Sequence, residues 1–334
     1  MSEQLERLAR ERFGLEPLAP IQALLAGNIN HSATVETADG SFVLQELNTS
    51  IFPDPDALMA NALAIVDAMI EANLPAIRFV PTLGDEWLAT SNGVTWRCYR
   101  FIPGESTPPI TTREEAQAIA RVFGRYAKAI ESLELTEHFP GYHSFDGRIE
   151  AFDTAIASDD LGRLESCRPT VDALLRTIDQ LRLSPSYDAR RHVPVRNAHN
   201  DAKGPNCIVS ENGARTVIDL DTTMPGTLFS DIGELVRSAT RDLPATTPEL
   251  VMTQIEAVNR GFLAGWGGEL DDAERACILL AGPLLTTENS ARFLTDHLTG
   301  DKYYGAAEPD QNLQRARVQL ELASRQIDAI EWAT

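Results

Sequence analysis

The stretch HNDAKGPNCIVSENGARTVIDLD, residues 199–221, constrains this chain more than any other. Two short apolar runs, NCIVS and RTVIDLD, flank Asn212-Gly213, a dipeptide that readily takes the positive φ angles of a tight hairpin. His199, Asp201 and Lys203 precede the first run, Asn206 opens it, and Asp219 and Asp221 close the second. Folding at Asn212-Gly213 returns the end of the second strand to the loop before the first. The spacing therefore predicts that an acid, an amide oxygen and a further carboxylate converge on one small volume. Oxygen ligands of this kind suit Mg2+, which keeps water and phosphate oxygens beside a few protein ligands. One carboxylate can hold metal while another, off the metal, takes a proton from a hydroxyl. Asp and Asn are also common turn residues, and an H-x-D triplet alone says little. The complete set points to phosphoryl transfer: H-x-D-x-x-x-x-N, a hairpin, then apolar-apolar-Asp. That reaction needs mainly positioning and charge neutralisation.

The 334 residues exceed what one small core needs and suit two lobes. NHSATVE and SFVLQEL flank a turn at Asp39-Gly40, and IRFVP, EWLAT and VTWRCYRFI read as three further strands. Between them, Asp54 and Pro55 open a helix whose stripe is Leu58, Met59, Ala62, Ile65, Val66 and Met69. The Pro/Gly-rich FIPGESTPP marks a connection, and beyond it the pattern is mainly helical. Thr112 with Glu115 forms a capping box, and helical stretches recur near 170–182, 231–240, 248–265, 271–281 and 310–332. The expected class is α+β. Residues 1–101 form a small β-rich lobe of five antiparallel strands, and residues 102–334 a larger helical lobe carrying the hairpin.

A net charge of −20 opposes nucleic acid as a partner and is compatible with a cationic substrate. The apolar runs are short and broken by charge, and MSEQLERLARERFGL lacks an apolar signal core. A soluble, cytoplasmic protein without membrane association is expected. Cys98, Cys167, Cys207 and Cys277 are scattered and form no C-x-x-C pair, so buried reduced thiols are expected rather than disulfides or zinc.

HNDAKGPNCIV followed by TVIDLD resembles the catalytic and metal-binding segments of the aminoglycoside phosphotransferase and choline kinase superfamily, which has a protein-kinase-like bilobal fold. The resemblance implies an ATP- and Mg2+-dependent kinase, with Asp201 the catalytic base and Asn206 and Asp219 binding the metal. It implies that His199 shapes the loop from beneath, and that Asp231 steadies the loop through its backbone amides. The stretches 199–239, FVLQELNTSIFPDPDALMANA and ENSARFLTDHLTGDKYY are similar to those of N-acetylhexosamine 1-kinases and related sugar kinases. The implied acceptor is the anomeric hydroxyl of an N-acetylhexosamine or related sugar. The alternatives are an aminoglycoside or other amino-alcohol kinase and, in another class, a nucleotide-binding pseudokinase. No A-P-E follows IDLD, which argues against a protein kinase.

Gln45 stands where many relatives carry a phosphate-binding lysine, and glutamine supplies no charge. Lys203, two residues past the base, is the cation expected to neutralise the transferred group. Gly27 and Asn30 lie in a thin nucleotide-covering loop, and the backbone of Arg100, Phe101 and Ile102 is expected to hold adenine. His31, Asp221 and Arg292 are the candidate acceptor ligands, with Glu288 orienting Arg292 from one helical turn earlier.

Overall fold

The computed structural model of the chain describes residues 2–24 and 30–333. The chain opens with α1 (Ser2–Phe13), β1 (Gln22–Leu24), β2 (Ser32–Thr37), β3 (Gly40–Leu47) and α2 (Pro55–Glu71). Then come β4 (Phe79–Val80), β5 (Ala89–Ser91), β6 (Val94–Arg100) and β7 (Glu105–Ser106). The helices α3 (Arg113–Ile130), α4 (Phe145–Ser158) and α5 (Leu164–Arg182) follow. The short strands β8 (Arg196–Ala198), β9 (Cys207–Val209), β10 (Arg215–Val217) and β11 (Met224–Gly226) come next. The chain closes with α6 (Leu228–Arg241), α7 (Pro248–Trp266), α8 (Asp272–Cys277), α9 (Ala281–Thr299) and α10 (Gln311–Ala333).

The residues group into two compact units, neither continuous in sequence. The first comprises Met1–Ser106, Ser132–Pro140 and Cys207–Met224, and the second Thr107–Glu131, Gly141–Asn206 and Pro225–Thr334. The expected boundary at 101/102 falls inside the first segment of the first unit. The 207–217 hairpin, expected in the helical lobe, packs with the β-rich unit.

In the first unit an antiparallel sheet runs β1-β2-β3-β6-β4, with β5 also paired to β6. The five expected strands are present. A sixth, β1, is three residues long, too short to show an alternating pattern. A second sheet runs β10-β9-β7, joining the hairpin to the Pro/Gly connection. Gly104 makes that approach possible: its φ is 145°, and a Cβ there would lie 2.5 Å from the Val209 carbonyl oxygen. Asp54 caps α2 by accepting the Ala57 N–H at 2.9 Å, and the six stripe residues of α2 are buried. The sequence reading missed α1, whose charged residues outnumber Leu5, Leu8, Ala9 and Phe13. Those four pack on Val35, Phe42, Leu44 and Trp96 of the sheet.

The second unit is helical. Thr112 and Glu115 form both bonds of the capping box that opens α3. Ile149, Phe152, Val171, Leu174, Leu294 and Leu313 belong to a core shared by α4, α5, α9 and α10. α3 packs on α7 at very close range because α7 presents Gly261 and Gly265 at the crossing. A Cβ on Gly261 would lie 2.3 Å from the Gln117 carbonyl oxygen, and one on Gly265 2.2 Å from that of Arg121. All four cysteines are buried, and none is in a disulfide. Burial pushes the Cys98 thiol up to about 12. No helix among the described residues is long and apolar enough to cross a membrane.

A methyl group at the α3–α7 crossing has no room. Gly261→Ala is expected to lower the unfolding free energy by about 1–3 kcal/mol, read from urea titration of the purified variant.

Candidate active site

The loop after β8 is held mainly by one helix face. Asp231, fully buried on α6, accepts the His199 N–H at 2.9 Å through Oδ2 and the Asn200 N–H at 2.8 Å through Oδ1. This is the bond pattern the resemblance implied. Burial raises the Asp231 pKa above the usual carboxylate value, against the lowering effect of His199 and the two amides. Asn200 adopts a left-handed φ of 63°, which asparagine tolerates better than most residues. The ring of His199 lies on Phe123 and Tyr126 of α3, at centroid distances of 5.4 and 5.5 Å. Its Nδ1 accepts the Asp201 N–H at 3.3 Å. One turn beyond Asp231, buried Glu234 pairs with Arg237, and Ser238 Oγ accepts the Gly204 N–H at 3.2 Å. Residues 231, 234, 237 and 238 thus turn one face of α6 to the loop.

Within the loop, Asp201 Oδ2 accepts from Lys203 Nζ at 2.7 Å and from Asn206 Nδ2 at 2.9 Å. Asn206 Nδ2 also donates to the Asp201 carbonyl at 2.9 Å. Two acceptors at the nitrogen fix the orientation of the Asn206 amide and reserve Oδ1 for a different partner, such as a hard cation. Asp201, Lys203 and Asn206 are therefore brought together.

Arg292, on α9 in the same unit, lies over two aromatic faces: its Cζ is 5.5 Å from the Tyr142 ring and 5.6 Å from the Tyr304 ring. Burial opposes its charge, but Tyr304, Tyr142, Glu288 and Tyr303 outweigh burial and raise its pKa. Asp296 fixes the tyrosine pair from the same helix. Its two oxygens accept the Tyr303 and Tyr304 N–H groups, each at 2.9 Å, and Oδ2 also accepts Asn312 Nδ2 at 3.0 Å. Glu288 does not bond Arg292 as expected; it faces His143 Nδ1 at 3.3 Å.

In the first unit, Gln45 lies directly across from Arg97 in the β3–β6 register. Gln45 Oε1 accepts Arg97 Nε at 2.8 Å and Nη2 at 2.6 Å, and its Nε2 donates to Ser32 Oγ at 3.2 Å. Arg97 in turn pairs with buried Asp221, Nη1 to Oδ1 at 2.7 Å and Nη2 to Oδ2 at 2.9 Å. Asn30 Nδ2 donates to Asp221 Oδ2 at 2.6 Å, and His138 Nε2 donates to the Asp221 carbonyl at 2.7 Å. Asp221, a candidate acceptor ligand, is thus only 2% exposed and holds the arginine and asparagine of its own unit. Asp219, two residues earlier, is exposed and left-handed at φ 61°. An exposed carboxylate suits a metal ligand that shares its ion with phosphate. No cluster of three or more His, Cys, Asp and Glu side chains among the described residues could hold a metal by itself.

The remaining candidates are placed as follows. Arg100 and Phe101 donate their N–H groups to the Arg78 and Ser41 carbonyls, at 2.8 and 2.9 Å, and Ile102 is half-buried. The His31 side chain is 86% exposed, 3.4 Å from Glu46. Gly27 lies outside the described residues. The sequence reading missed Arg97, His138, Tyr142, His143, Glu234 and Arg237. Arg97 gave a signal, a charge at the centre of an apolar strand. Glu234 and Arg237 gave another, polar residues at three-residue spacing after Asp231.

The Arg97–Asp221 pair has almost no water to fall back on. Arg97→Met is expected to cost about 3–5 kcal/mol of stability by stranding the carboxylate. Adding Asp221→Leu should recover much of that loss, as compared by denaturant midpoints of the single and double variants.

The fold is shared with solved small-molecule kinases. A spectinomycin phosphotransferase, solved with ADP and spectinomycin, matches at a TM-score of 0.63 and 13% identity, over 98% of this chain and 99% of its own. An amicoumacin kinase, solved with AMP-PNP and Ca2+, matches at 0.65 and 16%, over 96% and 93%. A microcompartment-associated aminopropanol kinase matches at 0.60 and 14%, over 97% and 94%. The sequence itself matches the phosphotransferase enzyme family over residues 20–277. With that match over most of its length, the chain belongs to the phosphotransferase enzyme family.

Proposed function

We propose that this kinase transfers the γ-phosphoryl group of ATP, with Mg2+, to a hydroxyl of a neutral sugar. The favoured acceptor is the anomeric hydroxyl of an N-acetylhexosamine or a close relative. The observation that carries the acceptor class is Arg292, a permanent cation stacked on Tyr142 and Tyr304 in the same unit as Asp201. Hydroxyl and amide carbonyl oxygens are natural partners for a guanidinium, and sugar rings stack on tyrosine faces. A polycationic aminoglycoside would meet like charge there. The likeness of ENSARFLTDHLTGDKYY to sugar 1-kinases supports the same reading.

In this reading, the carboxylate oxygen of Asp201 not held by Lys203 and Asn206 takes the proton of the acceptor hydroxyl. Lys203 extends positive charge toward the transferred group, and Arg292 orients the acceptor. Asn206 Oδ1 and Asp219 are the oxygens that would hold Mg2+, whose contribution is to neutralise phosphate charge. The nucleotide reading is supported by the ADP and AMP-PNP complexes of the two structural neighbours. The backbone of 100–102 is the proposed adenine contact, and Gly27 and His31 belong to the proposed covering loop. Gln45 and Asn30 act on the nucleotide side through Arg97 and Asp221 rather than as charged ligands.

A cationic amino alcohol is the second reading. The net charge of −20 favours it, and a spectinomycin and an aminopropanol kinase are among the neighbours. An ADP-release screen over N-acetylhexosamines, neutral hexoses, aminoglycosides, choline and homoserine decides between them. Stimulation by sugars alone is expected, and stimulation only by amines would overturn the sugar reading. Asp201→Ala is expected to lose turnover by at least about 100-fold. Arg292→Ala should raise the sugar KM by about 10- to 100-fold while leaving the KM for ATP in place.

A further inference from the structure

We infer that His143 is a positioning residue: as an imidazolium it bridges the Asn200 carbonyl and the Glu288 carboxylate, fixing the peptide that leads into Asp201. His143 Nε2 is 2.6 Å from the Asn200 carbonyl oxygen, and Nδ1 is 3.3 Å from Glu288 Oε1. A carbonyl only accepts, so Nε2 carries a proton. An ionised carboxylate only accepts, so Nδ1 carries one as well. With both nitrogens protonated, the ring is a cation.

The surroundings favour that state. The charged groups facing His143 are Glu288 and Arg292 from α9, and Asp231 and Glu234 from α6. Tyr142, its chain neighbour, lies edge-on at 4.7 Å between ring centroids. Glu234 is already paired with Arg237, so the carboxylate that chiefly stabilises an imidazolium is Glu288, which faces Nδ1 directly. Burial lowers the His143 pKa and Arg292 does the same, but the bond to Glu288, its charge and the Asn200 carbonyl outweigh them and raise it. The side chains of His143 and Glu288 are only 11% and 4% exposed, so water does little to replace either bond.

The bridge matters because of what it holds. The peptide joining Asn200 to Asp201 is fixed at both edges, its carbonyl by His143 and its N–H by His199. Asn200 is left-handed, so a released carbonyl would let this peptide rotate and carry the Asp201 carboxylate with it. Glu288 lies one helical turn before Arg292. A neutral imidazole has a single N–H, so one of the two bonds is lost on deprotonation. The folded pKa is raised. The bridge is therefore complete below the unfolded histidine value, about 6.5, and is lost as pH rises through the folded value.

The inference rests on Asp201 being the catalytic base, but its first test does not. Histidine-selective 15N NMR of the whole chain, with His143 assigned by His143→Gln, should show both nitrogens protonated at pH 7. A neutral His143 ring at pH 7 would overturn the inference whatever the acceptor proves to be. In the kinase assay, His143→Ala is expected to lower kcat by about 10- to 100-fold with little change in the KM for ATP. His143→Gln keeps a donor for the Asn200 carbonyl and should restore most of kcat. It should also flatten the alkaline fall of the wild-type pH profile. An unchanged kcat in His143→Ala, or a wild-type alkaline fall in His143→Gln, would remove the positioning role. Lack of turnover with every acceptor would count against the proposed function alone, since the NMR result stands by itself.

Discussion

Asp231 has no solvent exposure, and its two oxygens are committed to the amides of His199 and Asn200. A buried carboxylate is tolerable only when it is well paired, and charge-assisted bonds to two successive amides meet that need. The same bonds leave the loop backbone little freedom, so Asn200 is kept left-handed and Asp201 emerges beside Lys203 and Asn206. α3 supports the arrangement from below through Phe123 and Tyr126, and α7 holds α3 close through two glycines. The position of one acid thus depends on a second acid that touches no reacting atom in the proposed chemistry.

The β-rich unit uses the same device with the charges reversed. Arg97 is the buried cation, and Asp221 and Gln45 are its acceptors. This changes how Gln45 is understood. Read from the strand alone, it stood in for a phosphate-binding lysine. In the structure its oxygen is spent on Arg97 and its nitrogen on Ser32. Its contribution is to orient an arginine, and the arginine in turn fixes the segment that carries Asp219.

What the sequence made legible was what short-range geometry dictates. Asn212-Gly213 announced the hairpin, Thr112 and Glu115 the start of α3, and the apolar stripe the buried face of α2. The spacing of Asp201 and Asn206 announced their meeting, because a separation of five positions leaves few ways to fold. What stayed hidden depended on partners far along the chain. Arg97 meets an acid 124 residues later, and His143 a glutamate 145 residues later. No local period marks either pairing. α1 was hidden for another reason: ion pairs such as Arg7–Glu11 give it a surface character that conceals four sheet-facing residues. Glu288 was expected to pair with Arg292 and instead faces His143, since an i, i+4 rule cannot see a histidine brought in from another element.

The separation between Arg97 and Asp221 bears on how the protein is made. On a ribosome, residues 1–106 emerge with their strands complete but without the acid that neutralises the arginine at their centre. Asn30 waits longer still, for a partner 191 residues downstream. Until the 207–217 hairpin arrives, that guanidinium has the Gln45 amide oxygen as an acceptor but not its carboxylate. The β-rich unit comes first in the chain, yet it can be finished only after much of the helical unit has been synthesised.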